Sequence, residues 1–196
     1  MLLSRALPRG GLYRPGARGH LAQVEGKIVD MSLPSSIRGY VLTPDDGEAL
    51  WFNKGLLIVK ATAEQTEGKY SAVEMRGRKG FSAPLHVHHS EDEFFIVMSG
   101  DVRFQLGDEV FEAKPGSLMY GPREVPHSFH VDSTEARLLL LFGPAGTDKF
   151  FRTAGKPARS FELPPADEQF LDRERLMEIG RQFDQEFVGP PLPPKS

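Results

Sequence analysis

The 196-residue sequence predicts an all-β protein whose strands form an antiparallel sheet. Between residues 38 and 142, short runs rich in valine, isoleucine, phenylalanine, tyrosine and leucine recur about every ten residues. Glycine-containing turns separate these runs, as at Ser99-Gly100-Asp101, because glycine adopts the positive φ that tight hairpins need. No helical crossover lies between the runs, so the architecture should be a sandwich or a barrel.

The predicted strands span residues 39–42, 56–63, 69–76, 84–88, 93–98, 101–105, 109–112, 117–120, 127–131 and 136–142. Helices are predicted after residue 143, a short one over 147–153 and an amphipathic one over 172–186 with Asp172 as its N-cap. The second helix rests on apolar residues with the three- and four-residue spacing of one helix face, namely Leu176, Ile179, Phe183 and Phe187. The proline-rich residues 189–196 should be extended or disordered.

Composition excludes several classes of protein. The chain has no cysteine, which excludes disulfides, cysteine-ligated zinc, iron–sulfur clusters and thiol catalysis. A net charge of −3 argues against nucleic-acid binding. The longest apolar run is about five or six residues, too short to span a membrane, and no signal-peptide core is present, so we expect a cytoplasmic protein.

We expect three regions: a disordered extension over residues 1–30, the barrel over 31–145, and a helical extension with a proline-rich tail over 146–196. The first segment carries four arginines and no acidic residue before Glu25. An organellar transit peptide has that composition, but the glycines and prolines favour a disordered extension, or an upstream start chosen over Met31.

Three histidines and one glutamate predict a metal site. Side chains alternate along a strand, so His86 and His88 project from one face about 6–7 Å apart. Glu93 heads the next strand, and His127 opens a later one on an inward face. Three imidazoles and a carboxylate suit one divalent ion of iron, nickel, cobalt, copper or manganese, and zinc fits the set as well. His89 and His130 are out of phase with their neighbours and should face outward without binding metal.

The residues around these ligands resemble the cupin motifs. From Gly80 to Gly100 the pattern is glycine, five residues, His-x-His, four residues, glutamate, six residues, glycine. A weaker second motif has Gly116, Pro122 and His127, with Glu124 where cupins often have glycine and Val131 where they usually have asparagine. The resemblance implies a jelly-roll β-barrel over about residues 38–142.

Within the cupins, the sequence is similar to single-domain quercetin 2,3-dioxygenase-like proteins. Four further stretches support this: Pro-Leu-His-Val-His-His at 84–89, Val-Pro-His-Ser-Phe at 125–129, Gly-Pro-Ala-Gly with Phe-Phe at 143–151, and Phe-Val-Gly-Pro-Pro at 187–191. The resemblance implies a mononuclear metal centre and ring-opening of flavonols by O₂ with release of carbon monoxide. Fold alone does not settle function.

Three functions follow from these residues. The first is a dioxygenase acting on a flavonol-like or other enol-bearing aromatic substrate, in which Glu93 is both ligand and base, and Phe95, Phe129 and Tyr120 line the pocket. The second is an isomerase, cyclase or decarboxylase that uses the metal as a Lewis acid. The third is a small-molecule binder without turnover. Exposed β edges are often paired in such folds, so we also expect a homodimer.

Overall fold

Two antiparallel sheets form most of the structure, a computed structural model that describes residues 21–24, 27–30 and 39–195. The strands are β1 Leu21–Val24, β2 Lys27–Asp30, β3 Glu48–Phe52, β4 Gly55–Ala61, β5 Ser71–Arg78, β6 Pro84–His88, β7 Asp92–Ser99, β8 Val102–Leu106, β9 Glu109–Ala113, β10 Leu118–Gly121, β11 His127–Val131, β12 Glu135–Gly143, β13 Lys156–Pro157 and β14 Gln185–Pro191. The helices are α1 Thr147–Ala154 and α2 Arg173–Arg181. Neither helix is long and apolar enough to cross a membrane.

The strand order is β10-β7-β12-β5-β4-β3-β13 in the larger sheet and β14-β6-β11-β8-β9 in the smaller one. The core lies between their inner faces. Phe95 of the larger sheet packs against Phe104 and Phe129 of the smaller one, with ring centroids 5.2 and 5.7 Å apart. These contacts join the sheets into a barrel, and the predicted antiparallel jelly roll with a C-terminal helical extension is confirmed.

Alternation of buried and half-buried side chains explains why these segments are strands. In β12 every second residue is buried and packs in the core, namely Ala136, Leu138, Leu140 and Phe142. Residues with a period of two place one apolar face inward. Nine of the ten predicted strands correspond to observed strands with ends shifted by at most two residues.

Two predictions near the start of the described chain are wrong. Residues 39–42 are not a strand, and Val41 is 88% exposed. The strand that follows this segment is β3 (Glu48–Phe52). The sequence analysis did not predict it because its central residues are buried on both faces and show no alternation. Residues 21–24 and 27–30, predicted to be disordered, pair as antiparallel strands; the rest of the segment 1–30 lies outside the described residues.

The C-terminal region differs most from prediction. Helix α2 has the predicted N-cap, with Asp172 accepting a hydrogen bond from the backbone N–H of Arg175, but it ends at Arg181. Asp184 then takes a positive φ of 54°, and the chain continues as β14, paired with β6. Proline is tolerated in β14 because this strand is the edge of its sheet and one row of N–H groups has no strand to bind.

Arg103 holds the end of the chain on the outside of the smaller sheet. The Arg103 guanidinium bonds to Asp132 at 2.7 and 2.9 Å and donates to the carbonyl of Pro193 at 2.8 Å. Arg103 and Leu192 are both buried. A charge-assisted hydrogen bond that is largely shielded from water stabilises more than an exposed one.

We therefore expect Arg103→Met to loosen β14. Loss of the bond to Pro193 should raise amide hydrogen exchange over residues 185–192 about tenfold or more, a change that corresponds to the ~1.5–3 kcal/mol of a charged hydrogen bond. Lys195→Met is the matched control, because Lys195 is exposed and its ion pairs, with Glu112 at 2.6 Å and with Asp132 at 3.7 Å, should contribute little. Unchanged exchange over 185–192 in Arg103→Met would show that this contact does not hold the strand.

Candidate metal centre

Four side chains that the sequence singled out meet inside the barrel. The Glu93 Oε2 atom lies 2.9 Å from His127 Nε2, 3.2 Å from His88 Nε2 and 3.9 Å from His86 Nε2. One donor atom from each of the four residues lies within 4.8 Å of the others, and all four residues are buried.

The strand register brings these residues together. His86 and His88 lie on the inner face of β6, and β11 pairs with β6 so that His127 is opposite His86. Glu93 comes from the other sheet, where Gly121 of β10 is its partner. A side chain at that glycine would put its Cβ 3.3 Å from His127 Nδ1, so the glycine leaves room for the imidazole.

Backbone carbonyls orient two of the rings. His86 Nδ1 is 2.8 Å from the carbonyl oxygen of Pro84, and His127 Nδ1 is 2.9 Å from that of Val125. A carbonyl can only accept, so Nδ1 carries a proton in both rings and the Nε2 atom of a neutral ring directs a lone pair at Glu93. A lone pair facing a carboxylate is repulsive unless a proton or a metal cation lies between them. The donor set therefore fits a divalent transition metal.

The electrostatics of the cluster also fit a cation site. Burial, together with the neighbouring His127 and His88, lowers the pKa of His86 to about 3. Burial alone would raise the pKa of Glu93, but hydrogen bonds with His127 and His88 outweigh it and lower that pKa to about 2. Burial opposes charging of His88, yet the carboxylates of Glu91 and Glu93 raise its pKa to about 9. Without a bound cation, the cluster thus holds an anionic Glu93 and a protonated His88 at neutral pH.

A narrow cavity of about 50 Å³ adjoins the cluster. Eight phenylalanines line it: Phe52, Phe81, Phe95, Phe129, Phe142, Phe150, Phe151 and Phe187. None of the described residues that line it is a lysine or an arginine. The cavity can therefore place an apolar, aromatic group against the cluster, but it offers no cationic side chain to an anionic one.

Gln185 and Phe187 of β14 belong to this wall and were not predicted as site residues. The Phe187 ring centroid lies 6.1 Å from that of His86. The Gln185 amide donates to the Thr147 hydroxyl oxygen at 3.0 Å. Sequence reasoning missed both because it placed Gln185 in the predicted helix and counted Phe187 in the apolar stripe of that helix. Gln185 and Phe187 alternate as inward residues of a strand do, and that period was the available signal.

The other predicted residues fall into two groups. Phe95 and Phe129 line the cavity, but Tyr120 does not, and its prediction as a pocket residue is wrong. Tyr120 is 45% exposed and stacks on Phe94 at 4.8 Å, because its neighbours in β10, and not Tyr120 itself, occupy the inward positions.

Neither of the remaining two histidines of the barrel motifs belongs to the cluster. His89 is exposed and bonds to Glu124 at 3.0 Å. His130 faces away from the cavity and is buried beside Arg103, where its Nδ1 atom lies 2.9 Å from Asp132.

Comparison with known proteins gives matches of three kinds. Residues 73–142 match the cupin domain family. The chain is 27% identical over 162 residues to the quercetin 2,3-dioxygenase of Bacillus subtilis, a match that covers 83% of this chain and 48% of that protein. It is 38% identical over 56 residues to an uncharacterized protein of Streptomyces coelicolor, covering 29% of this chain and 53% of that protein. The chain thus spans about half the length of the curated relatives it matches.

Among solved structures, a predicted oxalate decarboxylase from Thermotoga maritima is similar with a TM-score of 0.47 and 18% identity, over 52% of this chain and 94% of that one. The family match at residues 73–142 includes all four residues of the cluster and the strands that carry them. This match and the antiparallel jelly roll around the cluster identify residues 73–142 as a cupin domain.

Proposed function

We propose that this chain is a metal-dependent dioxygenase that uses O₂ to oxidise a flavonol-like or other enol-bearing aromatic substrate. One observation carries the proposal: a cluster of three imidazoles and a carboxylate adjoins a cavity, lined by two of those imidazoles and the carboxylate, whose wall includes eight phenylalanines. Similarity to the quercetin 2,3-dioxygenase of Bacillus subtilis supports it.

The metal would be held by His86, His88 and His127 through Nε2 and by a carboxylate oxygen of Glu93. A divalent iron, nickel, cobalt, manganese or copper ion, or zinc, would lower the pKa of a substrate hydroxyl and provide an open position for a second small ligand. The carbonyls of Pro84 and Val125 keep two of the rings in the tautomer that this role needs.

The wall selects the substrate by polarity and shape. Aromatic rings pack favourably against phenylalanine edges and faces, whereas the wall offers a polycarboxylate no cationic side chain to pair with. The cavity of about 50 Å³ is well below the ~300–1,000 Å³ of typical ligand sites. Binding of a flavonol therefore requires part of the wall to move, and β14, which has a neighbouring strand on one side only, is the element free to do so.

Glu93 is the group placed to take the substrate proton. Its pKa of about 2 keeps the carboxylate ionised at neutral pH, and its Oε2 atom is the meeting point of the three rings. A carboxylate with so low a pKa would accept the proton of an enol hydroxyl only where a bound metal has lowered the pKa of that hydroxyl, and the product would be an electron-rich enolate, the form that O₂ oxidises. The phenylalanine wall would exclude water from that step.

The small cavity favours a second candidate function. A non-oxidative isomerase, cyclase or decarboxylase acting on a small oxygenated substrate would fit the cavity with less movement of the wall. It would use the same four residues with the metal as a Lewis acid and would consume no O₂.

The ligand assignment predicts which histidines hold metal. We expect His127→Ala to lose most bound metal, because it removes one of three imidazoles, and His130→Ala to retain it. Elemental analysis of the purified variants measures both. Equal loss of metal from His130→Ala would contradict the assignment.

The pH dependence of metal binding follows from His88. A metal ion must displace the proton that the raised pKa of about 9 keeps on His88, so affinity for Co²⁺ should rise by about tenfold per pH unit between pH 6.5 and 9. A raised pKa stabilises the metal-free fold below the unfolded value of about 6.5, and this stability is lost as the pH rises to about 9. The lowered pKa values of Glu93 and His86 act only below this window.

Calorimetric titrations in buffers of different ionisation enthalpy should accordingly show release of about one proton per Co²⁺ at pH 7.5. The melting temperature of the metal-free protein should fall between pH 6.5 and 9, and that of the metal-loaded protein should not. An affinity independent of pH would contradict the assignment of the proton to His88.

The base role of Glu93 is tested at full metal occupancy. We expect Glu93→Gln, saturated with metal, to consume O₂ with a flavonol about 10²–10⁴ times more slowly than the wild type. Glu124→Gln, which changes an exposed carboxylate bonded to His89, should be unaffected. Near-normal O₂ consumption by metal-saturated Glu93→Gln would remove the base role. A wild-type protein that consumes no O₂ with flavonols, quinones or small diketones would favour the Lewis-acid function instead.

A further inference from the structure

A chain of buried polar side chains leads away from the metal cluster. It runs from His88 through Glu91 and Thr147 to Gln185, and all four residues are buried. We propose that Glu91 is the positioning residue that sets the orientation and tautomer of His88 for metal binding. This inference rests on the proposed metal site and adds to it a residue from outside the ligand set.

Glu91 is firmly held by the first residue of α1. Its Oε1 atom accepts the backbone N–H of Thr147 at 2.8 Å, and its Oε2 atom accepts the Thr147 hydroxyl. The N-cap of that helix, Gly146, has no side chain to offer, and a Cβ there would lie 2.5 Å from Glu91 Oε1. The carboxylate thus has a fixed position between the helix and the cluster.

His88 differs from the other two rings in what its second nitrogen faces. His86 and His127 direct Nδ1 at backbone carbonyls. His88 Nδ1 has no hydrogen-bond partner among the described residues and lies 3.6 Å from Glu91 Oε2. A carboxylate only accepts, so it favours the ring form with the proton on Nδ1 and a free lone pair on Nε2, the atom beside Glu93.

This series of hydrogen-bonded side chains also reaches the wall of the cavity. Gln185 donates to the Thr147 hydroxyl oxygen at 3.0 Å, so β14 is bonded to the group that holds Glu91. Thr147 therefore connects a metal ligand to the strand that covers the cluster. Glu91 could also act as a helix cap alone, and the test must separate the two roles.

Glu91→Gln separates them because the amide has one accepting and one donating end. While its oxygen accepts the Thr147 N–H, its NH₂ group faces His88 Nδ1 and favours the ring form with the proton on Nε2, which leaves no lone pair for a metal on the nitrogen beside Glu93. We expect the variant to bind Co²⁺ about 10–100 times more weakly than the wild type, with changed visible absorption bands of the bound Co²⁺. Glu124→Gln, the matched change at an exposed carboxylate–histidine pair, should match the wild type in both.

A second pair of variants tests the same link with less disturbance of the fold. Thr147→Val keeps the backbone N–H but removes the hydroxyl that holds Oε2, so Co²⁺ affinity should fall by several-fold; Thr147→Ser retains the hydroxyl and should bind as the wild type does. If Glu91→Gln and Thr147→Val both keep the wild-type Co²⁺ affinity and spectrum and only their melting temperatures fall, Glu91 acts as a helix cap and does not position His88. A wild type that binds no Co²⁺ would overturn the proposed function together with this inference, whereas normal wild-type binding beside unchanged variants overturns this inference alone.

Discussion

The buried carboxylate of Glu93 is the constraint on which the centre of this protein depends. An anion inside a phenylalanine-lined barrel is costly unless positive charge compensates it. Three imidazoles surround Glu93, and in two of them a backbone carbonyl fixes the proton on the far nitrogen. A proton on His88 can supply the compensating charge, and a metal ion bound as proposed would compete with that proton for the same cluster.

Polar contacts tie the elements around the cluster to one another. His86 and His88 come from one sheet and Glu93 from the other, so the compensating charge also joins the two sheets. Glu91 extends the arrangement to α1, and Gln185 extends it to β14. Glu91 and Thr147 are distant in sequence but become hydrogen-bond partners, because each satisfies a polar atom of the other that burial would leave unpaired.

Local periodicity predicted a sandwich or a barrel and singled out the four clustered residues, and the resemblance to the cupins implied the jelly roll. The alternation His86-x-His88 and the phase of Glu93 depend on one strand each, and the register of β6 with β11 supplied the rest. Features decided by tertiary contacts could not be read this way. Tyr120 follows the composition of a pocket residue but lies on the outer face of β10, and Gln185 entered the site through a strand whose prolines had suggested a loose tail. Glu91 offered no periodic signal at all, since its partners are in α1 and at His88.

Strand β14 contributes Gln185 and Phe187 to the wall of the cavity beside the cluster. One end of the barrel is filled by packed rings, where Phe95 contacts Phe104 and Phe129, with centroids 5.2 and 5.7 Å apart. The other side is covered by β14, an edge strand held inside by Gln185 and outside by the bond from Arg103 to the Pro193 carbonyl. Moving a single edge strand breaks fewer backbone hydrogen bonds than opening either sheet at its centre. A substrate larger than the present cavity would therefore reach Glu93 past β14, and the same displacement would disturb the hydrogen bond between Gln185 and Thr147 that leads back to His88.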